Sequence, residues 1–337
     1  MTISRRKPAV AFMALALTVG LAITGCSSSS TTPRASGSSD VTGMKVTLLT
    51  VSQSCAYCAT HTDELKADAQ KAGVDLTVVV NEFDAGVQAQ QVNQVISTKP
   101  DAVILWAADA TAILPSLARL KSAKIPVVLT NTHPQTDDTS LWTAYTGPDD
   151  TDYGRKAGEA MVTALKAKGQ TSGSVVVVTG VPGTPGAINR LKGFTETLEK
   201  DAPQVTIAGT QNADWDQTKG TTAAAALLTL YGKDDLVGIY AEADNMLAGA
   251  IVAADRAGYK PGDLTMVGSN CSIEGYTNIE SGAQQASVLL SPYDDASLAW
   301  QATLKVLQGD DVANETFIPP VVITNLNLAD CAAAVDK

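Results

Sequence analysis

From Met44 onward the chain repeats one rhythm: a short, almost wholly apolar segment, then a segment with apolar residues at helical spacing, then the next apolar segment. The spacing predicts strands over 45–51, 75–80, 102–106 and 126–130, with helices over 61–72, 87–96 and 111–121 between them. Gly73 ends the first helix, as glycine does just past a helix C-terminus. Strands that are apolar at nearly every position are buried on both faces, which requires helices on both sides of a parallel sheet. Four consecutive valines, Val175, Val176, Val177 and Val178, state this pattern most plainly. The fold class is therefore α/β.

The rhythm breaks over 131–145, a polar stretch with two short strand-like pieces, and then resumes. Strands are expected over 174–179, 205–210, 237–241, 265–268, 286–290 and 321–324. Helices are expected over 153–168, 185–200, 217–230, 246–257 and 293–307. A chain of 337 residues suits two domains of ordinary size. In open α/β sheets, ligands bind beyond the carboxyl ends of the strands. Two such units facing each other make a cleft that hinge motion can close.

The N-terminus reads as a targeting segment. Arg5, Arg6 and Lys7 precede an uncharged apolar run over 9–25, which ends at Ile23-Thr24-Gly25-Cys26 before four serines. A basic start, an apolar middle and small residues before a cut site describe an export signal. A cysteine placed there resembles the bacterial lipobox, so Cys26 is the expected lipidation site and 1–25 the expected lipoprotein signal peptide. Ser4-Arg5-Arg6 leaves the twin-arginine route open beside the general one. Residues 26–43 begin as a Ser/Thr-rich run and read as a tether. No later apolar run is long enough to span a bilayer. The net charge of −11 excludes a nucleic-acid partner, which needs a basic surface. The expected place is the outer face of the cell membrane, by lipid anchor alone.

Four cysteines remain. An exported chain sits where disulfides form, so Cys55, Cys58, Cys271 and Cys331 are disulfide candidates. Cys55-Ala56-Tyr57-Cys58 is open to a local disulfide, a redox pair or half of a zinc site. Zinc needs further ligands, and the chain holds only His61 and His133. No metal and no cofactor are expected.

Several segments together are similar to one family. Lys124-Ile125-Pro126-Val127-Val128 has the form of its fourth strand. The glycine loop from Gly180 leads to Arg190-Leu191-Lys192-Gly193-Phe194. Ala213-Asp214-Trp215-Asp216 precedes Lys219-Gly220, Ala241-Glu242-Ala243-Asp244 opens a helix, and Met266-Val267-Gly268-Ser269-Asn270 closes a strand. In this order the segments resemble the type I periplasmic sugar-binding proteins, the ribose-binding branch in particular, over about 46–328. The resemblance implies two Rossmann-like, doubly wound parallel-sheet lobes joined by a three-strand hinge. It places the N-terminal lobe at 44–148 and 291–318, and the C-terminal lobe at 149–290 and 319–330. It implies a small-molecule solute held in the cleft, delivery to the permease and ATPase subunits of an ABC importer, a monomer and no enzymatic activity.

Carried over by position, Arg190 falls on the family's ligand-binding arginine and Trp215 on its stacking aromatic. Asn131, Thr132 and Asn270 stand where relatives carry site residues, and Trp106 ends a strand that reaches the site. The first loop adds Ser52, Gln53 and Tyr57 as candidates, with Ser54 and His61 beside them. Asp109 is expected to cap a helix, and His133 to be a surface loop residue. Ala243 and Leu290 replace polar residues of the family pattern, and Asn131 and Asn270 replace charged ones. The implied pocket is less polar than one for ribose and suits a sugar, deoxy sugar, polyol or modified sugar. The alternatives are a small carboxylate held by Arg190, or a receptor that presents its ligand to a chemotaxis or sensor-kinase system. No Ser-His-Asp order, HExxH or Walker loop supports an enzyme.

Overall fold

The structure is a computed structural model that describes residues 40–232 and 235–335. The expected signal segment 1–25, Cys26 and most of the tether lie outside the described residues. The first half runs β1 (Lys45–Thr50), α1 (Ala56–Ala72), β2 (Asp75–Val80), α2 (Ala85–Thr98), β3 (Ala102–Leu105), α3 (Leu114–Ser122), β4 (Val127–Thr130) and β5 (Ala144–Pro148). The second runs α4 (Asp150–Ala167), β6 (Gly173–Thr179), α5 (Pro185–Asp201), β7 (Val205–Asn212), α6 (Gln217–Tyr231), β8 (Leu236–Ala241), α7 (Asp244–Arg256), β9 (Thr265–Asn270), α8 (Ile273–Glu280) and β10 (Ala286–Leu289). The chain closes with α9 (Pro292–Gln308), β11 (Glu315–Ile318), β12 (Val321–Ile323) and α10 (Leu328–Val335).

The strands form two six-stranded sheets, ordered β11-β5-β4-β3-β1-β2 and β12-β10-β9-β8-β6-β7. Every pairing is parallel except that of β12 with β10. The chain passes between sheets three times: after β5, after β10, and between β11 and β12. The valine run of β6 shows why both faces of a sheet must be covered. Val176 and Val178 pack against Leu227, Met246 and Leu247 on one side, and Val175 and Val177 against Met161, Phe194 and Tyr240 on the other. Burying one such side chain contributes about 1.5–3 kcal/mol, so neither face can be left to water.

Some boundaries differ from those expected. The tether, expected over 26–43, ends earlier: Val41 is buried with Val46, Leu65 and Trp300. Helix α1 starts at Ala56, ahead of the expected 61, because the sulfur of Cys55 accepts the Cys58 N–H and caps it. The segment expected over 319–330 extends through α10 to Val335. Strand β11 and helix α8 were not predicted. β11 has four residues, none of them buried, at a sheet edge, and α8 is an eight-residue helix with two buried positions, too little of either period to read. No helix among the described residues is long and apolar enough to cross a membrane.

Candidate functional site

A cavity with about 610 Å³ of empty space, its open mouth included, lies between the loops of the two sheets. Its lining follows the strand ends. Phe83 comes just after β2, Trp106 after β3 and Asn131 after β4. From the other sheet, Trp215 follows β7, Ala243 follows β8 and Asn270 ends β9. Four of these non-glycine residues hold positive φ: Phe83 at 62°, Asn131 at 62°, Trp215 at 62° and Asn270 at 92°. Such backbone costs of order 1–3 kcal/mol per residue and gathers at binding sites.

Two glycines make room. A Cβ on Gly180 would lie 2.0 Å from the Trp215 ring, so this position admits the indole only as glycine. A Cβ on Gly154 would lie 2.0 Å from the Arg190 carbonyl, so α4 and α5 touch there and bring Arg190 beside Tyr153 and Asp150. Arg190 is 5% exposed. Its Nε donates to Asp150 Oδ1 at 2.9 Å, and its Nη1 donates to the Glu242 carbonyl at 2.8 Å and to Asn270 Oδ1 at 3.2 Å. The guanidinium lies 5.7 Å from the Tyr153 ring centroid and 5.9 Å from that of Trp215. Burial works against its charge, but Asp150, Tyr240 and Glu242 together outweigh burial and raise its pKa. Burial raises the Asp150 carboxyl, with Arg190 opposing. Glu242, behind this pair, is pushed well up by burial while its Oε2 accepts the Gly180 N–H at 2.7 Å.

The opposite wall is built on α1 and α9. The Tyr57 hydroxyl donates to Asp295 Oδ2 at 2.9 Å, and Asn131 Nδ2 donates to the same oxygen at 2.8 Å. Tyr57 and His61 meet the Trp106 ring edge-on, at 6.1 and 5.0 Å between centroids. Cys55 and Cys58 are bonded to each other and line the cavity, which leaves neither sulfur as a thiolate ligand for zinc. Cys271 is bonded to Cys331, tying the turn after Asn270 to α10.

Of the expected site residues, Tyr57, Trp106, Asn131, Thr132, Arg190, Trp215 and Asn270 line this one cavity. Ser52 and Gln53 do not. The Ser52 hydroxyl bonds Ser54, and Gln53 Nε2 donates to the Val51 carbonyl, so that hydroxyl and that amide nitrogen are spent within their own loop. His61 is fully buried behind the wall against Thr130, and burial lowers its pKa to about 3. His133 pairs with Glu315 at 2.8 Å, away from the cavity. Asp109 accepts N–H groups from Thr111 and Ala112, but it caps a turn, because α3 begins only at Leu114.

Sequence reasoning missed Phe83, Thr184, Asn245 and Asp295. Phe83 carried a usable signal, since Phe is scarce in this chain and this one follows a strand end. Asn245 Nδ2 donates to the Trp215 carbonyl at 2.7 Å and holds the left-handed turn. Nothing local marks that role in the sequence.

Residues 46–311 match the model of the periplasmic binding protein domain. The galactofuranose-binding protein of Escherichia coli K12 is 29% identical over 244 residues, 72% of this chain and 76% of its own. The xylitol-binding protein of Mycolicibacterium smegmatis is 25% identical over 319 residues, 94% of this chain and 86% of its own. A Mycobacterium smegmatis crystal structure in complex with β-D-fucofuranose superposes with a TM-score of 0.78 at 25% identity, covering 88% of this chain and 98% of that one. Two parallel-sheet lobes, a cavity at their strand ends and a match along most of the sequence agree: this chain belongs to the periplasmic binding protein family, whose members bind solutes for transport and are not enzymes.

Proposed function

We propose that this protein binds a small, neutral, hydroxyl-rich solute, a sugar or polyol with an apolar face, between its lobes and delivers it to an ABC importer at the outside of the cell membrane. One observation carries the reading: the single charge on the cavity wall, Arg190, is already paired with Asp150. A carboxylate would therefore find no free cation, and it would face amide oxygens. Asn245 spends its Nδ2 on the Trp215 carbonyl and keeps Oδ1 as an acceptor. Asn270 spends Oδ1 on Arg190 and keeps Nδ2 as a donor. Hydroxyl groups answer both kinds of partner, whereas a carboxylate only accepts. A ligand group left unpaired there costs roughly 2–7 kcal/mol. Tyr57, Phe83, Trp106 and Trp215, with Ala243 and Leu290, offer apolar surface to C–H faces. Relatives named for galactofuranose and xylitol, and a neighbour holding β-D-fucofuranose, a deoxy sugar, support this class.

A thermal-shift screen tests the class. Pentoses, furanose-forming hexoses and polyols should raise Tm, since a bound ligand stabilises the native state by mass action. The matching sugar acids should not, and a larger shift with the acids would overturn the reading. We also place the protein on the membrane through a lipid on Cys26, on the strength of the basic, apolar and small-residue sequence before it. Labelled palmitate should enter the wild-type chain and not Cys26→Ala; equal labelling of both would remove the anchor.

A further inference from the structure

Asp295 is a buried carboxylate that neither the family resemblance nor the cavity lining marks. It sits in the first turn of α9 with no exposed side-chain surface. Its Oδ2 takes the hydroxyl of Tyr57 and the amide nitrogen of Asn131, two groups that do line the cavity. Its Oδ1 has no partner among the described residues. No cation neutralises it. His61 Nε2 is 3.9 Å away, but burial keeps that imidazole uncharged. Arg190, across the cavity, is paired with Asp150. The other titratable groups whose charge bears on Asp295 are Asp150 and Tyr153 of α4, Tyr145 of β5 and Tyr57 of α1. Asp294, the preceding residue, is exposed.

An ionised carboxylate only accepts hydrogen bonds, so it dictates which end of its amide neighbour it meets. We propose that Asp295 is a positioning residue for solute selection: by holding the Asn131 nitrogen it turns the Asn131 oxygen toward the cavity, so that this wall selects a hydroxyl that donates. The inference rests on the cavity being a sugar or polyol site. A protonated Asp295 carries a donor of its own and can bond the Asn131 oxygen instead, which turns the amide over and reverses the polarity offered to the solute. Burial and the nearby charge of Asp150, with hydrogen bonds from Asn131, Tyr57 and Thr130 opposing them, raise this carboxyl to about 7, so the reversal falls between pH 6 and 8. Solute that needs the ionised form binds in proportion to the fraction present. Its affinity therefore falls as pH drops, by about tenfold from pH 8 to pH 6.

The test has a ligand-free arm and a binding arm. In 15N-labelled protein, the Asn131 side-chain amide signals, identified by their loss in Asn131→Asp, should shift in one step between pH 6 and 8. The step should vanish in Asp295→Asn. Xylitol, titrated calorimetrically, should bind the wild type about tenfold more weakly at pH 6 than at pH 8 and bind Asp295→Asn equally at both. A role confined to packing or to the α9 N-terminus would leave the amide signals still across this range, and that result overturns the proposal. So does a titrating amide with pH-independent xylitol binding. If xylitol fails to bind at any pH, the polyol reading of the cavity falls, while the wild-type amide titration still decides the role of Asp295. That arm needs no substitution at position 295.

Discussion

Arg190 and Asp150 are both buried, and each is the other's answer to burial. Removing one partner of a buried pair leaves a charge that nothing solvates, at a cost of roughly 3–5 kcal/mol. Arg190→Ala should therefore lower the unfolding free energy measured in urea by that order, and adding Asp150→Ala should restore part of the loss. An unchanged unfolding free energy in Arg190→Ala would show that the pair carries no such weight. The same coupling means that lost binding in Arg190→Ala mixes lost contact with lost structure. The aromatic residues are the cleaner probes, since none of them is tied into an ion pair. Arg190 and Trp215, which line the cavity, are legible in the sequence because both stand in extended motifs. Sequence reading missed Asp295 and Asn245, whose work is to hold other residues still. The bond from Tyr57 to Asp295 spans 238 positions, a distance no local pattern crosses.

At the scale of elements, the buried strands and longer helices were legible because burial on both faces leaves an unbroken apolar run and helices leave a 3.6-residue period. What escaped was short, or set by tertiary partners. The start of α1 depends on a capping sulfur. β11 exists because Glu315 to Ile318 finds Tyr145 to Pro148 beside it in register, not because its four residues insist on extension. Ser52 and Gln53 lie off the cavity because a polar loop after a first strand has two outlets for its hydrogen bonds, the cleft and itself, and this loop uses the second. The positive φ values escaped for a related reason. Asn131 and Asn270 tolerate that conformation well, while Phe83 and Trp215 are held in it by the packing around them.

At the scale of the molecule, two sheets joined by three crossings put aromatic and amide groups from each side onto one cavity. A solute that touches both sides binds the closed arrangement better than the open one, and only that difference shifts the population toward closure. The transporter then has a state to read. Everything depends on the solute touching both lobes at once. The direct measurement is calorimetric titration of the best neutral solute from the screen into wild type, Phe83→Ala and Trp215→Ala, one aromatic from each sheet. We expect one site per chain and at least tenfold weaker binding in both variants, about 1.4 kcal/mol each. Wild-type affinity in either variant would place the solute on one lobe alone and contradict the account.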